Sequence, residues 1–199
     1  MQEEIESLYK NETWVLVKPP TRQRIVGCKW IFKIKKGSHG VEKARYKARL
    51  VAKGYSHVLG VDFNDVFSSV VKHSSIRVLL ALIVMHNLEL KQLDVKTAFL
   101  HGELEEDIYM QPPKGFVVEG KEDHVCLLKK SLYGLKQSSR QWYKRFDSFM
   151  VGNGYSRSNY DSCVYFRKTH DGSFIYFLLY VDEMLIAATN MSDIEELKK

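Results

Sequence analysis

The chain has 199 residues, 45% of them hydrophobic and 27% charged, with 4 prolines; this excludes a disordered or low-complexity protein and fits one globular domain or two small lobes with a real core. Net charge is +6, but Trp14 to Gly60 carries 12 Lys/Arg against one acid, Glu42, so the rest of the chain is acidic and the basicity belongs to one region that suits phosphates or an acidic surface. The three cysteines (Cys28, Cys126, Cys163) form no CxxC pair, and apolar runs such as "FIYFLLYV" are too short to cross a bilayer, which argues against a disulfide framework, a zinc site or a membrane anchor and for an intracellular, reducing setting.

In chain order, "EEIESLYKN" reads as a short amphipathic helix and "TWVLVKPP" as an extended segment stopped by Pro19 and Pro20. "VGCKWIFKIKK", the turn "GSHG" and "EKARYKARLVAKG" form a β-hairpin. Strand alternation places Lys43, Arg45, Lys47, Arg49 and Lys53 on one face of its second strand, with Ala44, Tyr46, Ala48, Leu50 and Ala52 on the other. One face is basic and one packs; because an ordinary solvated face mixes signs, phosphate binding is the favoured reading.

"SSIRVLLALIVMHN" is a helix capped by Ser74 or Ser75, ended by Asn87, and apolar enough to be expected in the core. "LELKQLDV" is a strand reaching Asp94, followed by a loop or short helix through Leu100, an acidic turn, the short strand "DIYM" and a Pro-Pro stop. The segment from Gly134 runs on as a helix with Trp142, Phe146 and Phe149 as a core-facing stripe, ended at Gly152 to Gly154. "SCVYFRKT", "HDGS" and "FIYFLLYVDEMLIAATN" read as strands in hairpins with Asp182 and Glu183 at the last tight turn, and "MSDIEELKK" as a helix capped by Ser192.

Two acids inside "YFLLYVDEMLIA" demand a reason, since an unpaired buried carboxylate costs several kcal/mol. A bland turn would use Asn-Gly or Asp-Gly, whereas Asp-Glu lacks the residue that accepts positive φ cheaply. A third acid, Asp94, ends the strand "ELKQLD". Carboxylates brought together at one sheet edge suit hard divalent cations, which take oxygen ligands at ~2.0–2.1 Å in the case of Mg²⁺. Two such ions roughly 3.5–4 Å apart can activate a hydroxyl and stabilise a leaving pyrophosphate.

The blocks "QLDVKTAFLHG", "LKKSLYGLKQSSRQWY" and "LLYVDEMLIA", with "GCKWIFKIKK" and "RYKARLVAKGYS" before them, resemble the reverse transcriptase domain of copia-type LTR retrotransposon Pol polyproteins over nearly the whole chain. The resemblance implies an α+β, right-hand polymerase architecture of fingers and palm, the antiparallel palm sheet backed by helices. Residues 1–199 would be one partial domain, with about 14–70 as the fingers hairpin region and 71–199 as palm with an interspersed fingers segment. It implies an RNA-directed DNA polymerase that transfers a nucleotidyl group from dNTP to a primer 3′-end, with RNA or DNA template and primer as partners. Asp94, Asp182 and Glu183 would be catalytic and, with the Val95 carbonyl, hold two Mg²⁺ ions for which Mn²⁺ can substitute. Lys36, Lys47, Arg49, Phe99, Tyr133, Gly134 and Lys136 would line the nucleotide, Phe99 as the aromatic wall that disfavours a 2′-hydroxyl.

Three departures stand against full activity. Glu183 occupies the place of the family's second turn aspartate, and Ser139 stands where proline is common. The chain also stops after the catalytic hairpin, so the thumb and the ribonuclease H and integrase parts of the polyprotein are expected to be absent. The alternative reading is a non-catalytic nucleic-acid-binding remnant of the same fold. A third, an RNA-binding module stacking bases on Tyr165, Tyr176 and Tyr180, lacks the "GFGFVxF"-like stretch such modules carry.

Overall fold

The computed structural model describes residues 1–35 and 45–197. Among them, the elements run α1 (Gln2–Lys10), β1 (Trp14–Val17), β2 (Ile25–Val26), β3 (Cys28–Lys35), β4 (Arg45–Ala52), α2 (His73–His86), β5 (Glu89–Asp94), β6 (Glu103–Met110), β7 (Val125–Lys130), α3 (Ser138–Gly152), β8 (Ser156–Arg157), β9 (Val164–Lys168), β10 (Phe174–Tyr180), β11 (Glu183–Ala188) and α4 (Met191–Glu196), with 3-10 turns at Gly54–Ser56 and Ala98–His101. They form two compact units, one of Met1–Phe67 and Phe99–Trp142, the other of Ser68–Ala98 and Tyr143–Lys199. The fold is mixed α and β, as an α+β reading requires.

In the first unit a four-stranded sheet runs in the order β1-β7-β6-β2, and β3 and β4 form a two-stranded ribbon. Helix α1 carries Glu3 and Glu4 in its first turn and Lys10 in its last, complementing the helix dipole, and buries Ile5 and Leu8. These join Trp14, Leu50, Met110, Leu128 and Leu132 in one core. The acidic stretch after Gly102 is strand, not turn: β6 starts at Glu103, and its register with β7 shifts between Glu103 and Ile108. Strand β7 goes beyond the sequence expectation; its apolar "VCLL" buries Val125, Cys126 and Leu128 in the middle of the sheet.

The β3–β4 ribbon sets Lys33 opposite Lys47 and Ile31 opposite Arg49 on one face, Phe32 opposite Ala48 and Ile34 opposite Tyr46 on the other. The packed face expected of it holds only at the base, where Leu50 and Ala52 are buried. Further out Tyr46 is 84% and Phe32 66% exposed, because a two-stranded ribbon has no second layer to cover it. Lys53 lies past the strand, and Lys36, Lys43 and the "GSHG" turn lie outside the described residues.

The second unit is an antiparallel sheet in the order β5-β11-β10-β9-β8. Leu178 and Ala187 on one face pack with Leu79 of α2. Phe177 and Tyr165 on the other meet Phe146 of α3, with ring centroids 5.4 and 5.6 Å apart. Helix α2 is therefore not a buried core helix. One stripe around Leu79 faces the sheet, while Val78, Leu80, Val84 and Met85 are exposed, since a helix laid on one sheet face is covered on one side only. Phe149 of the α3 stripe is likewise 54% exposed, unlike Trp142 and Phe146.

The caps differ from expectation as well. No side chain of α2 caps its own start. Instead the buried Asp161, distant in sequence, accepts hydrogen bonds from the Lys72 amide (2.8 Å), the Ser75 hydroxyl (2.6 Å) and the Cys163 amide (3.0 Å). Asn87 ends α2 in the left-handed region as expected, its φ at 49°. Helix α4 starts from Asn190, not Ser192, and has no side-chain cap bond.

Candidate active site

Strand pairing brings the three sequence-nominated acids to one corner of the second unit. Glu183 stands directly opposite Asp94 across the β11–β5 ladder and directly opposite Tyr180 across the β10–β11 hairpin. The hairpin turn is thus Val181–Asp182, and Glu183 is the first residue of β11 rather than a turn residue. The Val95 amide donates to the Asp182 carbonyl at 2.9 Å, tying the end of β5 to the turn. Asp94 and Glu183 are exposed and Asp182 is half-buried, so their charges meet solvent and need no buried counter-charge, which resolves how an apolar hairpin tolerates them.

The backbone is strained on both sides of that tie. Val181 has φ +58° and Thr97 φ +58°, a left-handed conformation that β-branched residues rarely take and that costs about 1–3 kcal/mol each. Gln92, two residues before Asp94 on the same strand face, has its amide nitrogen 3.5 Å from a Glu183 carboxylate oxygen. It was not among the sequence candidates, although the alternation that puts Asp94 on this face also puts Gln92 there.

Among the described residues no group of three or more His, Cys, Asp or Glu stands close enough to hold a metal ion by itself. The donors gathered at this corner are carboxylate and carbonyl oxygens, the hard ligands Mg²⁺ takes, and Mg²⁺ uses only one or two carboxylates when phosphates and water complete its shell. The donor chemistry fits that ion.

The nucleotide-lining candidates that are described lie in the first unit. Three of them touch: the Phe99 and Tyr133 rings meet edge to face with centroids 5.1 Å apart, and the Arg49 guanidinium carbon lies 4.9 Å over the Tyr133 ring. Gly134 has φ +92° and is pressed against β4, where a Cβ would fall 2.2 Å from the Ala52 carbonyl oxygen. The Ala52 amide donates to the Tyr133 carbonyl at 2.8 Å. Lys136 is turned toward its own loop: its ammonium donates to the His57 carbonyl at 3.1 Å and sits 5.0 Å over the Phe63 ring. Lys47 is exposed, and Lys36 lies outside the described residues. Tyr165 is fully buried and donates its hydroxyl to Asp147 at 2.8 Å, so it offers no stacking surface of the RNA-module kind.

Residues 11–199 match the family model described as reverse transcriptase (RNA-dependent DNA polymerase). The chain belongs to the reverse transcriptase family. It is 54% identical over its whole length to the retrovirus-related Pol polyprotein from transposon TNT 1-94 of Nicotiana tabacum, of which it covers 15%. It is 42% identical over 96% of its length to the Pol polyprotein from transposon RE1 of Arabidopsis thaliana, covering 13% of that protein. Over 95% of its length it is 31% identical to the Gag-Pol polyprotein of transposon Ty1-MR1 of Saccharomyces cerevisiae, covering 10% of it. The resemblance to copia-type Pol polyproteins read from the sequence blocks is borne out, and the reverse transcriptase family chain spans about a seventh or less of these relatives. No helix among the described residues is long and apolar enough to cross a membrane.

Proposed function

We propose that this chain is the polymerising part of a retrotransposon reverse transcriptase, its second unit the palm and its first the fingers, extending a primer 3′-end with dNTPs on an RNA or DNA template. The observation that carries the reading is the corner where Glu183 stands opposite Asp94 and Asp182 occupies the adjoining turn, with the Val95 amide bonded to the Asp182 carbonyl. A lone acidic turn has a bland explanation; a turn tied through the backbone to the end of the strand that carries a third carboxylate, beside two strained backbone positions, is a costly arrangement that needs a use.

In this reading Asp94, Asp182 and the Val95 carbonyl hold Mg²⁺, or Mn²⁺ in its place, and Glu183 completes the negative field. When bound, the two ions supply charge neutralisation for the triphosphate and activation of the primer hydroxyl. The protein's own part is positioning. The β5–β11 ladder fixes Asp94 and Glu183 opposite each other, and the Val95–Asp182 bond holds the turn at the strand end. Arg49 and Lys47 offer positive charge to phosphates from the basic ribbon face, so binding of template or nucleotide weakens with salt. Phe99 walls off the sugar 2′ position.

The second reading, a binding-only remnant, draws on Glu183: its carboxylate reaches back to Gln92, and one extra methylene separates it from the family's aspartate. Primer extension on poly(rA)/oligo(dT) with Mg²⁺ and with Mn²⁺ tests both. Incorporation that disappears in Asp94→Asn and Asp182→Asn supports the polymerase. Incorporation indifferent to those changes refutes the metal assignment, and none by any variant, with salt-sensitive RNA binding intact, leaves the remnant reading.

A further inference from the structure

Phe99, Tyr133 and Arg49, each expected from the sequence to line the nucleotide, also pack on one another as a stack inside the first unit. Tyr133 is held from three sides. Its carbonyl accepts from the Ala52 amide at 2.8 Å, its neighbour Gly134 is pinned against the Ala52 carbonyl, and Arg49 covers its ring face at 4.9 Å. The edge contact to Phe99, 5.1 Å between centroids at 64°, is then made by a ring with little freedom. Phe99 itself sits in a short 3-10 turn, Ala98–His101, directly after Thr97 with its positive φ. A single 3-10 turn has poorer hydrogen-bond geometry than an α-helix, so the orientation of the half-buried Phe99 depends on what its ring leans on. The guanidinium over an aromatic face and the edge-to-face ring pair are each favourable geometries.

We propose that Tyr133 is the positioning residue that sets the angle of Phe99, with Arg49 clamping Tyr133, so that discrimination between deoxyribose and ribose nucleotides depends on all three side chains. The inference rests on the reading of Phe99 as the wall against the sugar. Tyr133 does not touch the sugar in this scheme. It fixes the ring that does, and a wall displaced by even ~1 Å loses much of its effect.

The test compares dUTP with UTP, both as equilibrium binding by calorimetry and as single-nucleotide incorporation, in Phe99→Ala, Tyr133→Leu, Tyr133→Phe and Arg49→Met. The expected result is a fall of about tenfold in the dUTP/UTP ratio for Tyr133→Leu, a smaller fall for Arg49→Met, and a wild-type ratio for Tyr133→Phe, which keeps the ring. The Phe99 ring proton shifts, measured by NMR on the nucleotide-free protein, should move in Tyr133→Leu and Arg49→Met, a readout independent of catalysis. If Tyr133→Leu fails to fold, Arg49→Met carries the same test. A ratio relaxed by Phe99→Ala but untouched by Tyr133→Leu and Arg49→Met overturns the positioning role and leaves the sugar-wall reading standing. A ratio untouched even by Phe99→Ala, or no binding of either nucleotide by the wild-type chain, overturns the sugar-wall reading and the inference with it.

Discussion

Gly134 distinguishes a structural from a nucleotide-binding explanation of the "SLYGLK" segment. Replacing it with alanine puts a Cβ 2.2 Å from the Ala52 carbonyl oxygen and 2.6 Å from Val51 Cγ1, at φ +92°. The left-handed backbone alone costs about 1–2 kcal/mol. Relieving an overlap with main chain means lifting the Tyr133–Gly134 turn off β4 and losing the Ala52–Tyr133 hydrogen bond, which leaves a buried donor unmade at about 1–3 kcal/mol. Together about 3 kcal/mol is lost from a folded state worth ~5–15 kcal/mol. Gly115, with φ +84° and nothing within 4 Å of its Cβ position, is the reference: Gly115→Ala bears only the backbone cost. Trp14, Trp30 and Trp142 all belong to the first unit, so urea unfolding followed by tryptophan fluorescence reports that unit directly. The midpoint should fall by about 1–3 M for Gly134→Ala and clearly less for Gly115→Ala. A Gly134→Ala midpoint equal to that of Gly115→Ala, with nucleotide affinity alone reduced, would refute the packing argument and give the glycine back to the ligand.

Asp161→Ala should cost about 2–4 kcal/mol, because three hydrogen bonds to a buried carboxylate are lost at once, two of them holding the start of α2; hydrogen exchange should quicken in the first turn of α2, while Ser74→Ala should leave it unchanged. His57 is 4% exposed with neither ring nitrogen hydrogen-bonded. Burial pushes its pKa below the usual histidine range, aided by Lys136 and Arg24 and opposed by Asp62. The folded protein therefore takes up this proton less readily than the unfolded chain, so His57's contribution is complete above about pH 6.5 and is lost as pH falls below it. Melting temperature should decline between about pH 7 and 5.5 and do so less steeply in His57→Gln; an unchanged slope would place the titration elsewhere. Glu183→Asp, too short to reach Gln92, should raise metal-dependent incorporation by about tenfold, and no gain in primer extension would show that Glu183 is not what limits the chain.

The acids were readable from the sequence because each breaks a pattern: Asp94 closes an alternating strand and Asp182–Glu183 interrupt an apolar run, so local rules alone mark them as out of place. The same local rules delivered α1, the β3–β4 hairpin, α3 and the β9–β10–β11 meander, since period and turn chemistry act within a few residues. They misplaced the turn by one residue, because φ +58° at Val181 is a strain no propensity predicts. Covering, capping and pairing partners lie far off in the chain and were decided by tertiary structure alone. A strongly apolar α2 shows most of its surface because only one sheet face is there to receive it, and its cap comes from Asp161 rather than from its own serines. Asp94 meets Glu183, and Arg49 meets Tyr133 and through it Phe99, across separations that no periodicity encodes. Sequence by itself determined which residues carry charge and which elements they sit on; only the folded chain decided which of them touch, because contact between distant residues depends on how the sheets and helices pack.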